Sequence, residues 1–154
     1  MEETLLGTGG AVKNTIKKKN ISNPFLVVNG DTYFNFNIKR FIKKYSFKEK
    51  KSIIMLKKAE KEKRYDQFKI LNKKIFMLKK NLKVNHFMNA GLYLFHKKDF
   101  KIKKKIFSIE KFIIPNLIEK GELSYFINKS NTFFDIGVPK SLKNFKNYIK
   151  KKWN

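Results

Sequence analysis

The sequence predicts an α/β fold on a mixed sheet, and three observations lead to this class. An apolar run at Phe25–Val28, an amphipathic stretch over 37–48 and a second apolar run over 52–56 follow one another as strand, helix and strand. Two apolar runs within 68–78 flank a polar turn, which is typical of a hairpin at a sheet edge. A further apolar run covers 87–95. We therefore expect a strand–helix–strand unit with a right-handed crossover, joined by antiparallel strands.

The first elements follow a glycine-rich stretch. Gly7, Gly9 and Gly10 lie within LLGTGGAV, where the absence of side chains allows a backbone to approach a ligand closely. The same cluster is also typical of a flexible N-terminal tail. A short helix is predicted over 11–19, with its N-terminus beside this loop in an arrangement that suits an anion. The strand Phe25–Val28 reads as buried and parallel because all four of its residues are apolar.

The second half of the chain continues the alternation of strands and helices. Gly91 interrupts the strand over 87–95, which predicts a bulge or a close backbone approach. A helix over 108–121 follows, with Ser108 as its N-cap and Gly121 at its C-terminal stop. The remaining predicted elements are short strands over 123–127 and 132–137 and a last helix that starts at Pro139 and buries Leu142, Phe145, Ile149 and Trp153.

Composition excludes several classes of protein. The 154 residues are 42% hydrophobic and contain 16 Phe, which suffices for one domain over 1–154 with a real core. The chain has no Cys and two His, so disulfides and thiolate zinc sites are excluded and any metal would be bound by oxygen. No apolar run approaches the roughly 20 residues that cross a bilayer. Because the N-terminus also lacks the pattern of a signal peptide, we expect a cytoplasmic protein without a membrane partner.

The net charge of +25 by itself predicts a nucleic-acid partner. However, Arg40 and Arg64 are the only arginines, and arginine is the residue that most often reads base edges directly. The lysines spread through every segment together with Asn, Ile and Phe, as an A+T-rich coding sequence would produce. This pattern favours solvated lysine faces over a dedicated nucleic-acid patch, and a basic nucleic-acid-binding protein is kept as an alternative.

Two carboxylates stand where apolar strands end beside a glycine. Asp31 follows VVNG, and Asp135 lies within FFDIG. In an open α/β sheet, ligands bind at the carboxyl ends of strands. Two carboxylates that meet there could hold Mg²⁺, which prefers one or two protein carboxylates together with waters and phosphate oxygens. Taken singly, each aspartate is more often an ordinary turn residue, and only the combination of the two is specific.

Five motifs in a fixed order carry a resemblance to a known family. They read GTGGA, VVNGD, NAGLYLF, FSIEKFIIPNLIEKG and FFDIGVPKSL, and they extend from residue 7 to residue 142. In this order they resemble the sugar-1-phosphate nucleotidyltransferases, most of all bacterial guanylyltransferases that act on D-glycero-D-manno-heptose 1-phosphate. The resemblance implies a Rossmann-like, three-layer domain with a mixed, glycosyltransferase-A-like sheet. It also implies transfer of GMP from GTP to a sugar 1-phosphate with release of pyrophosphate, which supplies nucleotide sugars for lipopolysaccharide or capsule.

The resemblance also implies roles for individual residues. Asp31 and Asp135 would be the catalytic Mg²⁺ pair, and catalysis would consist of positioning and charge neutralisation during in-line attack on the α-phosphorus. No general base is needed because the attacking phosphate oxygen is already an anion. The implied contacts are Gly7, Thr8, Gly9, Gly10 and Gly30 toward the nucleotide, and Asn89, Ala90, Gly91 and Glu110 toward the sugar.

The sequence also departs from the family pattern. The family usually begins with a strand and a GGxGTRL phosphate loop followed by KP, and none of these motifs occurs in the 154 residues. We therefore expect the sheet to lack its first strands and to leave an edge of Phe25–Val28 unpaired. The family's Phe-x-Glu-Lys pattern is replaced by FMLKKN, where Lys80, Lys79 or Asn81 takes the place of the catalytic Lys. A catalytically inactive fragment or subunit that still binds nucleotide or sugar is the main alternative, and a homo-oligomer is also open.

Overall fold

A mixed sheet lies at the centre of the computed structural model, which describes residues 4–45, 48–59, 66–78, 86–130 and 132–153. Within these residues a six-stranded sheet is accompanied by a separate two-stranded ribbon. A 3₁₀ turn at Lys97–Phe100 and a π-helical turn at Ile109–Ile113 interrupt the longer elements. In chain order the elements are α1 (Gly7–Lys18), β1 (Phe25–Val28), β2 (Thr32–Phe34), α2 (Ile38–Lys43), β3 (Ser52–Lys58), β4 (Gln67–Leu71), β5 (Lys74–Leu78), β6 (Phe87–Phe95), α3 (Ile114–Glu119), β7 (Leu123–Asn128), β8 (Phe133–Asp135) and α4 (Pro139–Trp153).

Strand β6 organises the sheet. The strand order is β5-β4-β6-β3-β7, and β1 pairs with the half of β6 that β4 leaves free. Strand β6 is antiparallel to β1, β3 and β4, whereas β3 and β7 are parallel. Strands β1 and β3 therefore run in the same direction on either side of β6. The predicted α/β class, the mixed sheet and the edge hairpin are confirmed.

Apolar side chains cover both faces of the sheet. On β3, Ile54 and Leu56 point into one cluster, and Ile53 and Met55 point into the other. Residues of α1 and α3 pack on the first face, and Phe41 of α2 packs on the second. All four β3 side chains are at most 1% exposed. A strand that is buried on both faces reads as a continuous apolar run, which is why 52–56 was recognisable from sequence.

The sequence-based prediction for β1 is wrong in two respects. The strand is antiparallel to β6, whereas a parallel strand was expected. Among the described residues it pairs with β6 alone, in agreement with the predicted unpaired edge. Its side chains alternate between buried and exposed positions, so that Leu26 is 40% exposed and Val28 is 55% exposed. An apolar run of four residues carries no information about the direction of its neighbour, and it does not reveal which face lacks a covering layer.

The helices differ from the prediction at their ends. Helix α1 begins at Gly7, so the predicted loop before residue 11 is wrong and the glycines form the first turn. Helix α2 covers six residues instead of 37–48, and the Asn37 side chain accepts the Arg40 N–H at its start. For the helix over 108–121, Ser108 is the N-cap, as predicted, although the first turn is π-helical.

Helix α4 lies at the surface and not in the core. None of its residues is buried, and Trp153 is 76% exposed, so the predicted buried face is wrong at this residue. The helix contacts the β2–β8 ribbon through Phe145, whose ring centroid lies 4.8 Å from that of Tyr33 and 5.6 Å from that of Phe134. Among the described residues, no helix has the length and apolar character that crossing a bilayer requires.

Candidate active site

The two aspartates meet because β2 and β8 form a ribbon. The ribbon pairs Thr32 with Asp135, and the Ile136 N–H donates to the Asp31 carbonyl at 2.8 Å. A Cβ on Gly137 would lie 3.0 Å from Asp31 Oδ2 and 3.2 Å from Asp135 Oδ1. Both carboxylates therefore border the same glycine, and the Gly137 N–H donates to Asp135 Oδ1 at 3.0 Å. This brings together two negative charges from distant parts of the sequence.

A bulge in β6 shapes the next part of the site. Gly91 has a φ of +75°, and the register between β3 and β6 shifts between Ile54 and Leu56. A Cβ on Gly91 would lie 2.8 Å from the Asn29 side chain, so the position requires glycine on steric and conformational grounds. The Asn29 N–H donates to the Gly91 carbonyl at 2.8 Å, and the Gly91 N–H donates to Asn89 Oδ1 at 3.0 Å. The bulge and close approach predicted at Gly91 are confirmed.

Glu110 accepts hydrogen bonds from three hydroxyl groups. Tyr93 Oη donates to Glu110 Oε1 at 3.1 Å, while Ser108 Oγ and Thr8 Oγ1 donate to Oε2 at 2.7 and 3.1 Å. Thr8 Oγ1 also accepts the Ile109 N–H at 2.9 Å. Strand β6, helix α1 and the start of the π-helical turn thus each contribute a donor that fixes this carboxylate.

The aspartate pair, the Asn89–Gly91 segment, Ser108 and Glu110 line one cavity of about 330 Å³, which is at the small end for a ligand pocket. Six of the residues singled out from the sequence lie in its wall, with the aspartate pair and Glu110 among them. The cavity is lined by Asn29, Asp31, Thr32, Asp66, Asn89, Ala90, Gly91, Ser108, Glu110, Lys111, Phe133 and Asp135.

The sequence reasoning missed several residues of this wall. Asp66 lies directly before β4, and burial together with the negative charge of Glu110 raises its pKa despite the opposing charge of Lys111. Tyr93 lies behind the wall, where it is fully buried and contacts the wall residues Asn89 and Glu110, and its sequence context in an apolar strand does not distinguish it. Burial and Glu110 raise the pKa of Tyr93 above its ordinary value of about 10, so the hydroxyl keeps its proton and remains a donor. The sequence signals that could have identified these two residues are an acidic residue directly before a strand, for Asp66, and a hydroxyl group within an apolar strand, for Tyr93.

The residues predicted to contact the nucleotide, Gly7, Thr8, Gly9, Gly10 and Gly30, all lie outside the cavity wall. The N–H groups of Gly9 and Gly10 donate to the Phe107 carbonyl at 3.0 and 3.1 Å. Gly30 is exposed and has no neighbouring atom within 4 Å of its Cβ direction. The glycines of α1 thus pack against the Phe107 segment, and their contact with a nucleotide stays a prediction. Lys79, Lys80 and Asn81 lie outside the described residues.

The donor chemistry of the aspartate pair fits a magnesium ion. Asp31 and Asp135 offer carboxylate oxygens, and the described residues contain no group of three or more His, Asp or Glu side chains that could hold a metal. Two carboxylates suit Mg²⁺, which keeps several waters and takes further oxygens from a bound phosphate. They would not suit a structural zinc site, which takes four N or S ligands.

A larger open depression lies elsewhere, between α2 and β7. It has a volume of about 900 Å³ and includes Arg40, Lys44 and Tyr125 in its wall. None of the catalytic, nucleotide-binding or sugar-binding residues predicted from the sequence lines it. Size alone therefore does not identify the site, because the smaller cavity holds the convergent polar groups.

The mixed α/β sheet, with a polar pocket beside the ends of its strands, places the chain among the α/β proteins whose ligand sites lie at the carboxyl ends of strands. The model of the nucleotidyl transferase family matches residues 1–152. The chain therefore belongs to the nucleotidyl transferase family.

Similar proteins extend this assignment. The chain is 32% identical over 151 residues to the D-glycero-alpha-D-manno-heptose 1-phosphate guanylyltransferase of Campylobacter jejuni, with 94% of the chain aligned. It is 32% identical over 143 residues to the mannose-1-phosphate guanylyltransferase catalytic subunit beta of Drosophila melanogaster, covering 88% of the chain and 38% of that protein. The crystal structure of HddC from Yersinia pseudotuberculosis superposes with a TM-score of 0.76 at 29% identity over 93% of the chain.

The chain is shorter than these relatives. It spans 64% of the Campylobacter jejuni protein and 62% of the HddC chain. HddC has also been crystallised in complex with GMP-PN, and that structure superposes with a TM-score of 0.73 at 27% identity.

Proposed function

We propose that the chain carries the sugar-binding and metal-binding part of a sugar-1-phosphate guanylyltransferase, with a heptose 1-phosphate as the acceptor. The observation that carries this proposal is the common cavity, in which the Asp31–Asp135 pair and the Asn89–Glu110 side chains line one wall. Phosphate chemistry and hydroxyl recognition are the two functions that a nucleotidyl transfer to a sugar 1-phosphate requires. The names of the Campylobacter jejuni and Yersinia relatives support guanine and heptose.

The proposed reaction is an in-line displacement at the α-phosphorus of GTP. A phosphate oxygen of the sugar 1-phosphate forms the new P–O bond, and the bond to the β-phosphate bridging oxygen breaks to release pyrophosphate. The attacking oxygen is an anion, so no side chain has to remove a proton. Asp31 and Asp135 would hold Mg²⁺, which when bound neutralises charge on the phosphate oxygens. Asn89 and Glu110 orient the sugar, which supplies the positioning that such transfers depend on.

The test measures pyrophosphate release from GTP with a panel of sugar 1-phosphates, in the presence of Mg²⁺ and after its removal by EDTA. Asp31→Asn and Asp135→Asn should each lower kcat/KM at least about a hundredfold, because each substitution removes a negative charge from the pair of carboxylates proposed to hold Mg²⁺. Asp99→Asn is the matched control, since Asp99 lies in the 3₁₀ turn and does not line the cavity. Release that is indifferent to EDTA and to both substitutions contradicts the proposal.

A second candidate function is binding without catalysis. The 154 residues contain no GGxGTRL phosphate loop. The chain also spans under two thirds of the length of the Campylobacter jejuni protein and of HddC. Such a unit would bind sugar 1-phosphate or nucleotide and would need the phosphate loop from elsewhere. Calorimetric binding of heptose 1-phosphate without any pyrophosphate release supports this candidate, whereas Mg²⁺-dependent turnover by the chain alone excludes it.

The wider setting belongs to the same proposal. A guanylyltransferase for heptose 1-phosphate would act in the cytoplasm and supply nucleotide sugars for lipopolysaccharide or capsule. Its partners would be GTP and the sugar phosphate, with no specific nucleic acid, and a homo-oligomer is compatible with it. Size-exclusion chromatography with light scattering tests the oligomeric state.

A further inference from the structure

One buried hydroxyl joins the two side chains that are proposed to face the sugar. Tyr93 is 0% exposed, and its Oη accepts a hydrogen bond from Asn89 Nδ2. The same oxygen donates to Glu110 Oε1 at 3.1 Å. The ring is stacked on Phe95 with the centroids 5.1 Å apart, and both rings belong to the core beneath the sheet. Close packing holds a buried ring of this kind in place, so its hydroxyl constrains the two side chains that it contacts.

The hydrogen-bonding capacity of Glu110 is almost filled within the chain. A carboxylate has about four acceptor positions, two on each oxygen. The hydroxyls of Ser108 and Thr8 take both positions on Oε2, and the hydroxyl of Tyr93 takes one on Oε1. One acceptor position therefore remains for a ligand. It lies on Oε1, the same oxygen that accepts from Tyr93.

Asn89 is constrained in the same way. Its Oδ1 accepts the Gly91 N–H at 3.0 Å, which fixes the amide orientation and leaves the two Nδ2 hydrogens as donors. One of these hydrogens goes to Tyr93 Oη. The second is left over, so the pair presents one acceptor on Glu110 and one donor on Asn89, held at a fixed separation by Tyr93.

We propose that Tyr93 is a positioning residue for sugar recognition, which sets Glu110 and Asn89 to bind two neighbouring hydroxyl groups of the sugar 1-phosphate. One sugar hydroxyl donates to Glu110 and the other accepts from Asn89, while Tyr93 itself touches neither. This inference rests on the proposed function. It adds a residue to that function and states the ligand chemistry of the pocket, namely a vicinal pair of hydroxyls.

The experiment compares Tyr93→Phe with Tyr148→Phe, a matched control on the surface helix α4. The Tyr93→Phe ring keeps its packing, but Glu110 and Asn89 each lose a partner. We expect the KM and the calorimetric Kd for heptose 1-phosphate to rise about tenfold, with the KM for GTP unchanged. A dideoxy sugar 1-phosphate that lacks both hydroxyls should bind the native chain and the Tyr93→Phe variant alike. Tyr148→Phe should leave both values unchanged.

The outcomes separate this inference from the proposed function. An unchanged sugar Kd in Tyr93→Phe, or an equal loss for GTP and sugar, overturns the positioning role and leaves the proposed function standing. A native chain that neither binds sugar 1-phosphate nor releases pyrophosphate overturns both. If Tyr93→Phe shows no cooperative thermal transition, the native chain itself is tested with the dideoxy sugar 1-phosphate that lacks both hydroxyls. It should bind at least about tenfold more weakly than heptose 1-phosphate, and equal Kd values overturn the inference.

Discussion

Gly9 lies so close to Phe107 that a methyl group cannot be added without moving the ring. A Cβ at this position would be 2.2 Å from Phe107 Cε2, whereas carbon atoms in contact lie about 3.5–4.0 Å apart. The ring is only 6% exposed and packs against Phe112, so it has little room to turn away. The tight glycines of GTGGA thus serve a contact within the chain.

Overpacking usually costs about 1–3 kcal/mol, and alanine offers about 1 kcal/mol over glycine inside a helix. Because the ring has little room to move, Gly9→Ala should lower the free energy of unfolding by about 1–2 kcal/mol net. Urea denaturation of both proteins measures the difference. Gly30→Ala is the control and should change stability by less than about 1 kcal/mol, because no atom lies within 4 Å of the added Cβ. Equal stabilities for the Gly9 variant and the native chain would show that the ring yields freely.

Asp66 gives a second prediction at this scale, through pH. Its pKa in the folded chain is raised above the ordinary value of 3.8, first by burial and then by Glu110. The folded state therefore binds the proton more tightly than the unfolded state, and the ionised group destabilises the fold at pH 7. Asp66→Asn should be more stable than the native chain at pH 7, and this advantage should shrink as the pH falls toward 4. A difference in unfolding free energy that is the same at pH 7 and pH 4 would contradict the prediction.

At the residue scale, sequence inference is strongest where the signal is local. Asp31 lies just after β1 and Asp135 ends β8, and ligands of an open α/β sheet bind at the carboxyl ends of strands. That the two aspartates meet was predictable from these positions, and their binding of Mg²⁺ stays a prediction. Gly91 in an apolar run indicated the bulge. Tyr93 could not be singled out, because its role depends on the Asn89 and Glu110 atoms that its hydroxyl reaches. Sequence spacing does not encode that contact.

At the scale of elements, the turn between β4 and β5 combines two residues in the left-handed region. Asn72 has a φ of 49° and Lys73 a φ of 61°. This conformation suits the two-residue hairpin turns in which Asn-Gly is preferred, and a lysine there is strained by about 1–2 kcal/mol. The polar turn was predictable from NKK, but the strain follows from the backbone angles.

Lys73→Gly should raise the free energy of unfolding by about 0.5–1 kcal/mol, because glycine relieves part of this strain and loses some of the gain to its flexibility when unfolded. The matched control is Lys74→Gly, one residue further into β5, where glycine should destabilise the strand by a similar amount. Urea denaturation distinguishes the two. A loss of stability in both variants would contradict the assigned turn.

Strand β2 shows why some elements escape sequence analysis. Thr32–Phe34 has three residues, too few for a periodicity to register. Its partner β8, which lies within the strand predicted over 132–137, is about a hundred positions away. The pairing nevertheless determines the site, since it sets Asp31 beside Asp135. Long apolar strands such as β6 were predictable because a strand that is buried on both faces is apolar along its whole length. Such a run can be recognised without knowing which strand pairs with it.

At the scale of the whole molecule, charge is the dominant property. The chain has 37 Lys and Arg against 12 Asp and Glu. Most of the basic residues within the described part are exposed, and exposed ion pairs such as Lys98–Glu122 contribute little stability. Mutual repulsion among the lysines therefore opposes the compact state, and its strength depends on ionic strength.

Stability should rise with salt. The Debye length falls from about 30 Å at 0.01 M to about 8 Å at 0.15 M, so added NaCl screens lysine repulsion more than it weakens the few contact pairs. The free energy of unfolding by urea, an uncharged denaturant, should increase between 10 mM and 300 mM NaCl. The double variant Lys143→Glu, Lys146→Glu lowers the charge on the middle of α4, away from the helix ends where the dipole acts, and should show a smaller increase. Stability that falls with NaCl in the native chain would mean that ion pairs, and not repulsion, dominate its electrostatics.

Binding of duplex or single-stranded nucleic acid should instead weaken with salt and show no sequence preference, as expected for any chain of this charge.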